Sequence, residues 1–246
     1  SLKKLTSPYK MIAADASGDA AIRVEDLVAL RKLILGVADD LPGNTSWRFV
    51  DAKQEMRETP WPFNEVMSHA SIKEGSVDNF IAVKIGDVDG SAKTGFKGEN
   101  EVTPRNSGVT LSTEDRMVKK GEMVEVQLSA DQFTEIYGFQ MAMKLKGLTL
   151  VNAEGRGIEI GDDNYATPMS NVMTMSWSIA NAKSVSEGST VMTMRFKATQ
   201  DGQLSKMIEV SNDILRSEAY VGSEMEVSKA TLELRNARPT AFHLSQ

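Results

Sequence analysis

The stretch GEMVEVQLSADQFTEIYGFQMAMKLKGLTLVNAEG, residues 121–155, decides the architecture. Val124, Val126 and Leu128 alternate with Met123, Glu125 and Gln127. Further on, Phe139, Met141, Met143 and Leu145 alternate with Gln140, Ala142, Lys144 and Lys146. A period of two sends successive side chains to opposite faces, so each run predicts a strand with one face on a core. The rhythm recurs in Met173, Met175, Trp177 and Ile179, and again in Met192, Met194 and Phe196. Runs at 207–210 and 227–234 complete the set, and turn residues separate them all, as in an antiparallel β-sandwich. Of the chain's 14 methionines, those that alternate with Thr, Ser and Lys in register with Phe and Trp are assigned to the interior and not to copper binding.

Upstream the period changes. Leu27, Leu30, Leu33 and Ile34 fall at helical spacing, Arg31 and Lys32 take the wet face, and Gly36 is placed to end the helix. Residues 42–63, with Trp47 and Trp61 between prolines, read as a loop giving apolar cover to a small domain. The apolar run VDNFIAVKIG, residues 77–86, is predicted to form a short helix. The polar, Gly-containing segment 91–107 reads as a linker. The expected organisation is mainly β with a small α domain: residues 1–99 as a calcium-loop and helix domain with the start of the linker, 107–235 as the sandwich, and 236–246 as a tail.

Composition narrows the function. A hydrophobic fraction of 41% and a charged fraction of 25% are those of a folded chain. A net charge of -6 without a Lys/Arg cluster argues against a nucleic-acid partner. The absence of cysteine removes disulfides, thiolate catalysis and zinc-thiolate sites. No apolar run reaches the roughly 20 residues of a membrane-spanning helix, and the first ten residues lack the apolar segment of a signal peptide.

The string with chemistry in it is DASGDAAIRVED, residues 15–26, leading into the predicted helix. Numbered as a twelve-residue calcium loop, it puts Asp15 at position 1, Ser17 at 3, Asp19 at 5, the carbonyl of Ala21 at 7 and Asp26 at 12. Calcium takes oxygens from several directions around one point; odd spacing in a tight loop supplies one side and the closing carboxylate the other. Two positions depart from the pattern. Ala20 replaces the glycine of the sharp turn at position 6, and Arg23 at position 9 has no oxygen to give. With three carboxylates, the expected dissociation constant is about 10⁻⁴ to 10⁻³ M. A partial second loop, GDVDGSA, places Asp87, Asp89 and Ser91 at positions 1, 3 and 5 without a closing carboxylate.

On these strings the chain resembles a known arrangement. YKMIAADASGDAAIRVEDLVALRKLILG, NTSWRFVD and FIAVKIGDVDGSA are similar, in order, to type I-like dockerin domains near the C-termini of large Bacteroidetes-type surface proteins. GEMVEVQLSADQFTEIYGFQMAMKLKGLTLVNAEG and STVMTMRFKATQDGQLS resemble early and late strands of a cohesin sandwich. The resemblance implies calcium as cofactor, a secreted or cell-surface location reached by type IX secretion, and a protein partner. That partner is a cohesin- or dockerin-type domain, or another copy of this chain.

Three functions compete. The first is a non-catalytic adhesion or assembly module, with its two domains paired within one molecule or head-to-tail in a filament. The second is a carbohydrate-binding sandwich with polysaccharide as ligand, which needs exposed aromatics; Phe133, Tyr137, Tyr165 and Tyr220 are predicted at loops or strand ends. The third is an enzyme. His69 and His243 lie in unrelated segments, no HExxH, GxSxG or P-loop occurs, and GRGIEIG has the wrong glycine spacing for a dinucleotide site. The expected protein is not an enzyme.

Overall fold

A computed structural model describes residues 5–71, 74–90, 92 and 108–236. The segments predicted as linker and tail therefore lie outside the described residues, apart from Ala92 and Asn236. Chain contacts form two compact units, Ser1–Leu33 with Ala38–Glu101, and Ile34–Val37 with Val102–Gln246.

In the first unit, α1 (Pro8–Ala14) leads through the loop at Asp15 into α2 (Val24–Ile34). Proline at the first turn suits α1, since its missing N–H has no partner there anyway. Two short strands follow, β1 (Trp47–Asp51) and β2 (Phe80–Lys84), paired antiparallel from Trp47↔Lys84 to Asp51↔Phe80. Both correct the sequence reading, which expected loop across 42–63 and helix across 77–86. A short apolar run is ambiguous between helix and strand, and here an edge to pair with decides it. Pairing buries Val50 and Val83 on one face, beside Ile12, Ala13, Ala16, Leu41 and Ile85. Phe63 and Met56 pack on this small core, so the segment 42–63 does supply apolar cover. Leu30 and Leu33 of α2 also pack there, but Leu27 is 66% exposed and Ile34 37%, so only half of the predicted apolar face is used.

The second unit is built from β3 (Val109–Glu114), β4 (Met117–Val118), β5 (Met123–Gln132), β6 (Ile136–Leu145), β7 (Leu148–Gly155), β8 (Tyr165–Met169), β9 (Val172–Lys183), β10 (Thr190–Ala198), β11 (Gly202–Gln203), a single helical turn α3 (Leu204–Met207), β12 (Ile208–Ser211), β13 (Glu218–Val221) and β14 (Glu226–Arg235). Hydrogen-bonded neighbours run β7-β10-β5-β3-β14-β13-β6-β9-β8, with β12 on β6. β14 joins the two halves: residues 226–229 pair with β13, and residues 230–235 pair in parallel with β3. At the crossover the chains nearly touch, and a Cβ on Gly108 would lie 1.9 Å from the Lys229 carbonyl oxygen. Glycine is the residue that permits such an approach.

The core follows the alternation. Val124, Val126, Leu128, Phe139, Met141, Met143, Met173, Met175, Met192, Met194 and Phe196 are all buried in one cluster. Ala142 is buried too, its methyl lying low between Gln140 and Lys144 in a strand paired on both edges. Ile179 is 41% exposed, against expectation. Regular β6–β9 pairing reaches Ser178 and resumes only at Lys183, so Ile179 lies where the strand has left its register. The run expected as strand from 207 begins one residue later, Met207 closing α3.

Candidate functional site

The loop between α1 and α2 is organised by two buried carboxylates, Asp15 (3% exposed) and Asp26 (1%). Asp15 Oδ1 accepts from the N–H groups of Gly18 at 2.8 Å and Asp19 at 3.1 Å, and its Oδ2 from that of Ala20 at 3.0 Å. The Ser17 hydroxyl lies 3.4 Å from Asp15 Oδ1. From the start of α2, Asp26 Oδ1 accepts from Ser17 N–H at 2.8 Å and Oδ2 from Arg23 N–H at 2.6 Å. Burial alone would raise the Asp26 pKa; the donors from Arg23 and Ser17 outweigh it and hold the group below its ordinary 3.8. Asp19 Oδ1 accepts from Ala21 N–H at 3.0 Å, and its Oδ2 pairs with the Arg23 guanidinium.

Positions 1, 3 and 12 are thus drawn together as Asp15, Ser17 and Asp26, while Asp19 leans to Arg23 and Ala21 enters through its N–H. Ala20 has φ +66°, the left-handed turn that position 6 requires, achieved without glycine. The donor set is all oxygen and its register is that of a calcium loop. Among the described residues, no group of three or more His, Cys, Asp or Glu is arranged to hold a metal ion.

The second loop shares two of the first loop's hydrogen bonds. Asp87 Oδ1 accepts from Gly90 N–H at 3.0 Å and Oδ2 from Ala92 N–H at 3.2 Å, the same donors at positions 4 and 6 as on Asp15. Asp89 is exposed at position 3. The approaches to the two loops are tied together, Gly86 N–H donating to Ala13 O at 2.8 Å.

A brace missed by the sequence reading supports the first loop. Asn44 Nδ2 donates to Asp15 O at 2.7 Å, Arg48 Nη1 donates to Asn44 Oδ1 at 3.1 Å, and Arg48 forks onto Glu65, with Nε to Oε1 at 2.7 Å. The Glu65 bond raises the Arg48 pKa, and the same bond lowers that of Glu65. No spacing rule announces partners 17 residues apart; only the fold of β1 and β2 brings them together.

On the outer side of α2, Val24, Leu27 and Val28 stay exposed, and Val24 and Val28 line an open groove with Ala29, Ala38 and Pro42. In the sandwich every described Phe and Trp is buried. Phe133 lies in the loop between β5 and β6, as expected, yet is buried, packing edge-on to Phe139 at 6.0 Å and tilted to Trp177 at 6.0 Å. Tyr165 opens β8 and Tyr137 lies one residue inside β6, at strand ends as expected, and Tyr220 lies within the short β13; all three are half-buried. None of these four rings is fully exposed. On the outer face of β5, β10 and β7, Arg195 bridges Glu125 at 3.3 Å and Glu154 at 2.9 Å, a solvated charge ladder. No described helix is long and apolar enough to cross a membrane.

The class defined by these features is a mainly β chain with a smaller loop-helix unit. No family model matches the chain, and no curated protein matches it. Among solved structures, the sixth cohesin from scaffoldin B of Acetivibrio cellulolyticus, in complex with a Cel5 dockerin, is similar at 10% identity over 52% of this chain and 95% of that one, TM-score 0.39. A type I cohesin–dockerin complex from Clostridium thermocellum is similar at 10% identity, over 52% and 90%, TM-score 0.41. A non-cellulosomal cohesin from the archaeon Archaeoglobus fulgidus is similar at 11% identity, over 51% and 86%, TM-score 0.38.

Proposed function

We propose that the chain is a non-catalytic assembly module acting outside the cell or on its surface. A dockerin-like calcium-loop unit with an exposed helix face precedes a cohesin-like sandwich that recognises protein. The observation that carries the reading is the repeated loop: Asp15 and Asp87 each gather the N–H groups of positions 4 and 6. In the first loop, Asp26 closes the other side from the start of α2. Calcium bound there by Asp15, Ser17, Asp19, the Ala21 carbonyl and Asp26, with Asp87 and Asp89 contributing in the second loop, would neutralise carboxylates that now rest on amides. It would also fix the helix that follows. The partner is a protein of cohesin or dockerin type, or a second copy of this chain, whose apolar surface would cover Val24, Leu27 and Val28.

The test uses the intact chain in calcium and in chelator. Calcium is expected to raise the melting temperature of the first unit and to increase the mass seen by light scattering when copies are the partner. An identical calcium response in wild type and in an Asp15→Ala, Asp26→Ala double variant would remove the loop reading. A calcium-responsive chain that stays monomeric leaves a separate partner protein.

A further inference from the structure

Position 9 of a calcium loop ordinarily offers an oxygen, often through a bound water. Here it holds Arg23, and Arg23 touches two of the loop's three carboxylates: its guanidinium pairs with Asp19, and its N–H donates to Asp26 Oδ2 at 2.6 Å. Asp19 is thereby held toward position 9, and the three carboxylates do not converge. In the rest of the loop, Asp15 is anchored by three amides and Ala20 takes the left-handed turn of position 6. We propose that Arg23 is a tethered counter-cation that competes with calcium for Asp19 and sets the metal affinity of the loop. The inference rests on the calcium reading above.

The physical case has two parts. The guanidinium occupies an oxygen that the metal needs, and its charge repels a divalent ion a few ångströms away. Both effects end when Arg23 is replaced by a neutral side chain of similar reach. The pair is solvent-exposed, its side chains 58% and 37% accessible. Screening therefore limits the gain to about three- to tenfold at low ionic strength, and less in salt. Without metal the pair is mildly stabilising, so the same replacement leaves the chelated protein unchanged or slightly less stable. A residue with only a structural role would move affinity and stability in the same direction; replacing Arg23 by Gln is expected to raise affinity without raising stability in chelator.

The experiment is calorimetric titration of calcium chloride into the intact wild-type chain, Arg23→Gln and Arg23→Lys, at low salt and in 0.5 M potassium chloride, with melting curves in chelator. The proposal expects Arg23→Gln to bind about three- to tenfold more tightly, with the gap narrowing in salt. Arg23→Lys should stay near wild type, and melting in chelator should not rise for Arg23→Gln. Calcium binding by wild type with equal or weaker binding by Arg23→Gln overturns the role of Arg23 and leaves the calcium loop standing. Folded proteins none of which binds calcium overturn the calcium reading, and this inference with it.

Discussion

Replacing Met143 by alanine tests the strand phase on which the sandwich rests. The side chain is fully buried in β6, between Met173 on β9 and Val210 on β12. The change deletes Cγ, Sδ and Cε. At about 0.8 kcal/mol for each buried methylene-sized group, transfer alone costs about 2.4 kcal/mol, and the cavity left in a close-packed interior brings the expected loss to about 2–5 kcal/mol. Met123 is the internal control, because it belongs to the same alternation but points outward, 56% exposed; Met123→Ala is expected to stay within about 0.5 kcal/mol. Urea titration followed by near-ultraviolet circular dichroism reads the site, since Trp177 packs against Phe133 and Phe139 in this core. In a thermal scan a 3 kcal/mol loss in a unit of this size is a drop of about 10 °C. Equal costs at Met143 and Met123 would refute the assignment of faces.

Two further perturbations concern the loop. Ala20→Gly relieves a left-handed alanine, worth about 1–2 kcal/mol, against about 0.4–1 kcal/mol of added freedom in the unfolded chain; a stability change between zero and a gain of about 1.6 kcal/mol is expected by chemical denaturation, and a clear loss contradicts the turn. Asp26→Asn is expected to cost about 1–3 kcal/mol at neutral pH, because an amide cannot accept from both Arg23 and Ser17 N–H groups. Since the folded-state pKa of Asp26 lies below 3.8, the wild-type advantage is full above that pH and disappears as pH falls through the lowered value. A gap between the two proteins that widens on acidification would contradict it.

What the sequence made legible was what depends on near neighbours. Strands β5, β6 and β10 announce themselves because alternation is a local pattern, and the closure of the loop from Asp15 to Asp26 because its residues lie within twelve positions of one another. The hairpin of β1 and β2 was hidden, because 28 residues separate Asp51 from Phe80 and the second run is apolar without clean alternation. Ile179 was misassigned because a break in register leaves no mark on composition. At the site, the residue types were readable but their allegiances were not. That Asp19 turns to Arg23, and that Asn44, Arg48 and Glu65 brace the loop, depends on where side chains point after folding.

The parallel ladder between β3 and β14 has a mechanical consequence. Its six pairs run from Ala230↔Val109 to Arg235↔Glu114, so the chain enters the sandwich at one end of the ladder and leaves at the other. Tension applied at Gly108 and Asn236 would pull the two strands lengthwise past each other. Every hydrogen bond of the ladder then carries the load together, and none can be peeled open first. Such a unit yields abruptly, at high force, or holds.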